Sequence, residues 1–211
     1  MTPQEIETLF TRSDGTFLFA RWGRPIAPIV FGVADETLPV VKGAFEALAA
    51  LSGHKLAETD PELGSNCLLF FFRDWAELTE VPGMDGLLPD LGPLVARLQQ
   101  EGANQYRAFR FDPDGAIKAA FIFLRMDKAL SRQPAEDLAL AQVAQTLLLW
   151  SDRAFHDRSV LARVGTEQGE RVVLHPEIAG LIRAAYDPVL PAVAHDPSHA
   201  LRLFARMETA A

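Results

Sequence analysis

The stretch YRAFRFDPDGAIKAAFIFLR, residues 106–125, decides the fold. Two apolar-rich runs, 106–111 and 116–125, flank the tetrapeptide Asp112-Pro113-Asp114-Gly115. Proline presets one turn dihedral and glycine accepts a positive φ, so the tetrapeptide predicts a tight turn and the flanks an antiparallel hairpin.

Downstream, residues 134–151 predict a long helix. Pro134 suits a first helical position, and Glu136 and Asp137 favour the positive end of the helix dipole. Residues 138–150 read LALAQVAQTLLLW, and a helix apolar on all sides is a buried one. Two further helices, 176–186 and 197–208, each open with proline. Upstream, residues 66–73 form an apolar run of strand length. Residues 37–52 have helical spacing, with Gly53 as the stop. The extended stretches 17–22 and 25–33 carry Pro25 and Pro28, which confine any strand there to an edge. Thr2-Pro3-Gln4-Glu5 has the pattern of a capping box. Residues 80–93, rich in Gly and Pro, read as a loop, with Asp90 capping a helix that runs to about residue 100. The expected fold is α+β. A mixed or antiparallel sheet has its hairpin at about 106–125 packed on a buried central helix at about 134–151. C-terminal helices complete a single domain over residues 1–211.

Composition narrows the function classes. Of 211 residues, 49% are hydrophobic and 23% charged, enough apolar matter for a sizeable core. The net charge of −8, without a basic cluster, argues against nucleic acid as a partner. The single cysteine, Cys67, lies in the apolar run NCLLFFF and is expected to be buried and inert. The N-terminus resembles no signal peptide, and no apolar run is long enough to span a bilayer, so no membrane partner is expected. A complete chain would be cytoplasmic; a trimmed leader would leave the periplasm open.

The central helix carries two polar residues, Gln142 and Gln145, three apart and therefore on one face. Around them the chain resembles a bacterial family of unknown function that is itself distantly similar to zincin-type metallopeptidases. The stretches that carry the likeness are RWGRPIAPIVFG, GSNCLLFF, AQVAQTLLLWSD and IRAAYDPVLPAVAHDPSHALRLF. By that resemblance Gln145 matches the family glutamine, Asp152 the closing aspartate, and Tyr186, Asp187 and Pro188 a late element. Ala141 and Gln142 stand where the family has glutamates. A zincin helix needs two histidines four apart and a glutamate base between them. Residues 141–145, AQVAQ, supply neither, so the resemblance implies a non-catalytic relative with no metal and no cofactor.

His195 and His199 have helical spacing, but Pro197 separates them, so no metal site is expected there. There is no Gly-x-Ser-x-Gly elbow and no phosphate loop. Tyr106, Phe109 and Phe111 are a candidate stacking surface that the acidic charge disfavours for single-stranded nucleic acid. Met84, Leu87 and Leu88 would form a partner patch if exposed together, and packing within the loop is the expected use.

The leading expectation is a non-catalytic, zincin-like scaffold that binds a protein or peptide partner. The candidate binding residues are Gln142, Gln145, Asp152, His156, Tyr186 and Asp187. Two alternatives stay open. One is a hydrolase in which Asp152, His156, Asp157 and Asp187 converge. The other is a small-ligand module using the paired amides of Gln142 and Gln145. Oligomeric state is left undetermined.

Overall fold

The computed structural model describes residues 1–166 and 169–209. The chain runs α1 (Pro3–Phe10), β1 (Phe19–Ala20), β2 (Pro28–Phe31), α2 (Leu38–Ser52), β3 (Cys67–Phe72), α3 (Met84–Leu87), α4 (Leu91–Gln100), β4 (Gln105–Phe111), β5 (Ile117–Arg125), α5 (Ala135–Ala144), β6 (Leu161–Thr166), β7 (Gly169–Leu174), α6 (Pro176–Ala185), β8 (Val193–Ala194) and α7 (His199–Thr209). The main sheet has the order β2-β3-β5-β4. The β2–β3 and β3–β5 pairs are parallel, and β4–β5 is the antiparallel hairpin. The sheet is mixed and the class is α+β, as the hairpin and helix pattern indicate. Pro28 opens β2, an edge strand, where a missing ladder donor is harmless.

Strand alternation splits the sheet's side chains into two cores. One face sends Cys67, Leu69, Ala120, Ile122 and Leu124 against α2, α5 and α6. The other sends Phe70, Phe72, Phe121 and Phe123 against Trp75, Met84, Leu88 and α4. Because β5 is buried on both faces, its sequence reads as a nearly unbroken apolar run. On the second face, register partners Phe31, Phe70, Phe123 and Tyr106 form one aromatic row across all four strands. Their successive ring centroids lie 4.8, 5.2 and 6.1 Å apart.

The expected capping box exists: Thr2 accepts from Glu5 N–H, and Glu5 reaches back to the Thr2 amide. Asp90 behaves otherwise. It takes a left-handed φ of 55° and caps through its carbonyl, to Leu94 N–H, and its side chain makes no cap. Residues 84–88, expected to be loop, contain the short α3, and Met84 and Leu88 are buried rather than exposed as a patch.

The central helix is shorter than its apolar run. It stops at Ala144, a turn follows at residues 145–146, and the chain then bridges Arg21 at Leu148, with Leu149 N–H donating to the Ala20 carbonyl. Two buried side chains take carbonyls that a longer helix would have used: Trp22 donates to Thr146 O at 2.9 Å and Tyr186 to Leu147 O at 2.7 Å. An apolar run reports burial, and here these two partners set the backbone conformation. The β6–β7 hairpin had no expected counterpart. The last helix starts at His199, not at residue 197. No described helix is long and apolar enough to cross a membrane.

Candidate functional site

Alternation along β4 puts Gln105, Arg107 and Phe109 on the face that looks toward α5. Tyr106 lies on the opposite face, so Tyr106, Phe109 and Phe111 do not share one stacking surface. Gln142, on α5, meets β4 directly. Its carbonyl accepts from Arg107 Nη2, and its amide donates to Gln105 Oε1 at 3.1 Å. Arg107 Nη2 also donates to Gln105 Oε1, at 3.1 Å. The three side chains form a closed triangle that ties the hairpin to the central helix.

Beyond the triangle lies a cleft of about 900 Å³. Its walls are the inner face of β4, residues 145–156 and the turn at residues 12–14. Two backbone donors hold that arrangement: Ser151 N–H donates to the Leu9 carbonyl at 2.8 Å, and Ser13 N–H to the Asp152 side chain, Oδ1, at 2.9 Å. One wall is apolar, with Phe109, Phe111, Leu149, Trp150 and Phe155. Trp150 is fixed by stacking on Phe10, with centroids 5.4 Å apart, and by the edge of Phe155 at 5.1 Å. The opposite lining is polar, with Arg12, Asp14, Arg107, Gln145, Asp152 and His156. A concave volume of this size with few polar groups on an apolar wall has the form of a ligand site.

The carboxylates in the cleft are anchored. Hydrogen bonding from Ser13 holds Asp152 below the usual carboxylate range, and the Thr16 amide does the same for Asp14. Arg107 is different. Its nearest partners are neutral amides, and among the described residues no carboxylate lies within ion-pair distance and its buried Nε has no acceptor. Burial pulls it down to about 10, so it is still a cation at neutral pH.

Of the six candidate residues, Gln145, Asp152 and His156 meet at this cleft. Gln142 is a layer behind, buried, and reaches the cleft through Arg107 and Gln105. Tyr186 and Asp187 do not line it. Tyr186 is buried under the Arg21 guanidinium, 5.3 Å from the ring centroid, and Asp187 pairs with Arg206 at 3.5 Å. Asp157 faces a neighbouring depression beside α1, which shares only Arg12 and His156 with the cleft. Asp152, His156, Asp157 and Asp187 therefore do not share one site. Cys67 is fully buried, and burial pushes its thiol up. Among the described residues no group of three His, Cys, Asp or Glu side chains is arranged to hold a metal ion. Arg107 and Gln105 were not among the expected site residues. Their signal was the period-two alternation of the hairpin, which puts a polar pair on a strand face otherwise turned to the core.

The chain matches no protein-family model, no curated protein and no solved structure.

Proposed function

We propose that the protein is a non-catalytic binding module that takes a small ligand or short peptide end, part polar and part apolar, in the cleft. One observation carries this reading. Gln145, Asp152 and His156 converge on a cleft with an aromatic wall, while its carboxylates are committed to backbone donors as stable anions. A general acid needs a raised pKa, and both of these are lowered. The likeness to zincin-type peptidases enters as element order, with the amides Gln142 and Gln145 on the central helix in place of ligands.

The test is a thermal-shift screen of the full chain against a library of metabolites and short peptides. Each hit is then localised by amide chemical shifts. Hits that move the resonances of Gln145, Asp152 and His156 support the reading; a screen with no hit at these residues contradicts it.

A second reading, a protein partner at the β2 edge, is favoured by one observation. Ile29, Phe31 and Leu38 are each close to 40% exposed around an unpaired strand edge. Hits that map to β2 instead of the cleft would select it.

A further inference from the structure

Arg107 raises a question that the fold alone does not answer. Taking a guanidinium out of water is costly unless an anion or a full set of acceptors receives it. Arg107 has two amide oxygens, both reached through Nη2, while Nε has no acceptor. Of the other partly buried arginines, Arg21 has no anion among the described residues and instead donates to the Leu190 carbonyl and lies over the Tyr186 ring, away from the cleft, whereas others do have anions. Arg24 bonds Asp112, Asp60 and Glu62, and Arg158 pairs with Glu5 and Glu177. Arg107 lines the cleft beside Gln145, in front of the apolar wall.

We propose that Arg107 is the anchor of a carboxylate-binding subsite, and that the cleft takes a monoanionic carboxylate with an apolar body. This rests on the reading of the cleft as a ligand site. The Gln105–Gln142 pair holds Nη2, which fixes the plane of the guanidinium, and leaves Nη1, neither buried nor bonded among the described residues, to the incoming anion. The charge of the anion follows from the lining. Asp14 and Asp152 share the cleft with Arg107 and Arg12, so its formal charges are balanced. A dianionic phosphate would meet two carboxylates there, whereas a single carboxylate engages one planar guanidinium and meets less repulsion. The apolar body would lie against Trp150 and Phe109. Two sources share this chemistry, a free aromatic or aliphatic acid and the C-terminus of a peptide.

The experiment titrates the full chain with 3-phenylpropionate, its neutral isostere 3-phenylpropionamide, inorganic phosphate, and N-acetyl-Gly-Phe with a free or amidated C-terminus. The readouts are Trp150 fluorescence and amide shifts of Gln105 and Gln145. Trp150 is the tryptophan that reports the cleft, since Trp22 and Trp75 are buried. The expected result is that the free acids bind about tenfold or more tighter than the matching amides and than phosphate, and that Arg107→Gln abolishes this preference. Tighter binding by the peptide acid than by 3-phenylpropionate identifies a peptide C-terminus as the source, and the reverse a small acid. Where Arg107→Gln fails to fold, the double variant Arg107→Met/Gln142→Met, which removes the guanidinium with an acceptor it serves, carries the same comparison. Equal binding of acid and amide at the cleft overturns the carboxylate inference and leaves the binding reading intact. So does phosphate binding as tightly as the acids. If none of these probes moves the cleft while library compounds do, the carboxylate inference alone falls. If neither probes nor library move it, both fall.

Discussion

His199 is the residue whose burial has the plainest consequence in solution. It is 2% exposed, lies 4.5 Å from the Phe19 ring by centroid distance, and neither ring nitrogen has a hydrogen-bond partner. Burial, helped by the Arg202 charge, pulls it down to about 4 from an ordinary 6.5. The unfolded chain takes up this proton near 6.5 and the folded chain only near 4. Stability is therefore constant above that window and falls as pH drops through it, by on the order of 3 kcal/mol in all. Denaturation curves between pH 7 and pH 4.5 should show this slope, and His199→Leu should flatten it; an unchanged slope would place the proton uptake elsewhere. Gln142 is the second such residue. Gln142→Leu leaves Arg107 with one amide acceptor and removes a donor to Gln105, so it should cost about 1–3 kcal/mol in urea denaturation despite adding apolar surface. Gln142 in α5 and Gln145 just after it are conspicuous in an otherwise apolar run. Arg107 is not, because either of the two arginines in YRAFRF looks like a solvated strand residue until the partner strand fixes which face is inward.

Among the elements, β2 and its flanking loops hold the most consequential local geometry. Gly32 ends the strand with φ of +81°, and a Cβ built there would lie 2.2 Å from the Phe71 carbonyl oxygen. Gly32→Ala should lower stability by at least about 1–3 kcal/mol, read as a lower urea midpoint, through strain in an otherwise well-paired edge. The loop before β3 is organised by Asn66. Its side chain accepts from Ala27 N–H at 2.8 Å and donates to Pro25 O at 2.9 Å and Asp60 at 3.1 Å. Burial pushes the Asp60 carboxyl up, but the Leu63 and Glu62 amides, Asn66 and Arg24 outweigh it and hold it down. That stabilisation is present above about pH 4 and lost as pH falls below it. Asn66→Leu should cost about 1–3 kcal/mol and remove part of the acid sensitivity below pH 4. At this scale the sequence was legible wherever a local signal existed. The Asp-Pro-Asp-Gly turn, the capping box and the Gly53 stop all correspond to observed structure. The end of α5 was not legible, because Trp22 and Tyr186, distant in sequence, decide it. The β6–β7 hairpin was missed because its strands, LARVGT and GERVVL, mix glycine and charged residues with apolar ones and have no buried face among their described side chains.

For the whole molecule, a mixed sheet between two cores leaves one inner strand face, that of β4, only partly covered by helices. The cleft occupies that uncovered part, bounded by the residues that turn away from the end of α5. The class of fold could be read from hairpin, apolar strand and buried helix together. The cleft could not, since it depends on where α5 stops and on how residues 12–14 bond to Asp152. The central claim is that this cleft is where the protein binds. Gln145→Trp tests it most directly, by filling the cleft from a partly buried position just past α5, whose side-chain amide donates to the Ala141 backbone carbonyl. The measurement is the ligand screen repeated on this variant beside the native chain. The prediction is an apo melting temperature close to the native one, with the native hits lost. Hits that persist with unchanged affinity in Gln145→Trp would contradict the claim and move the binding surface elsewhere.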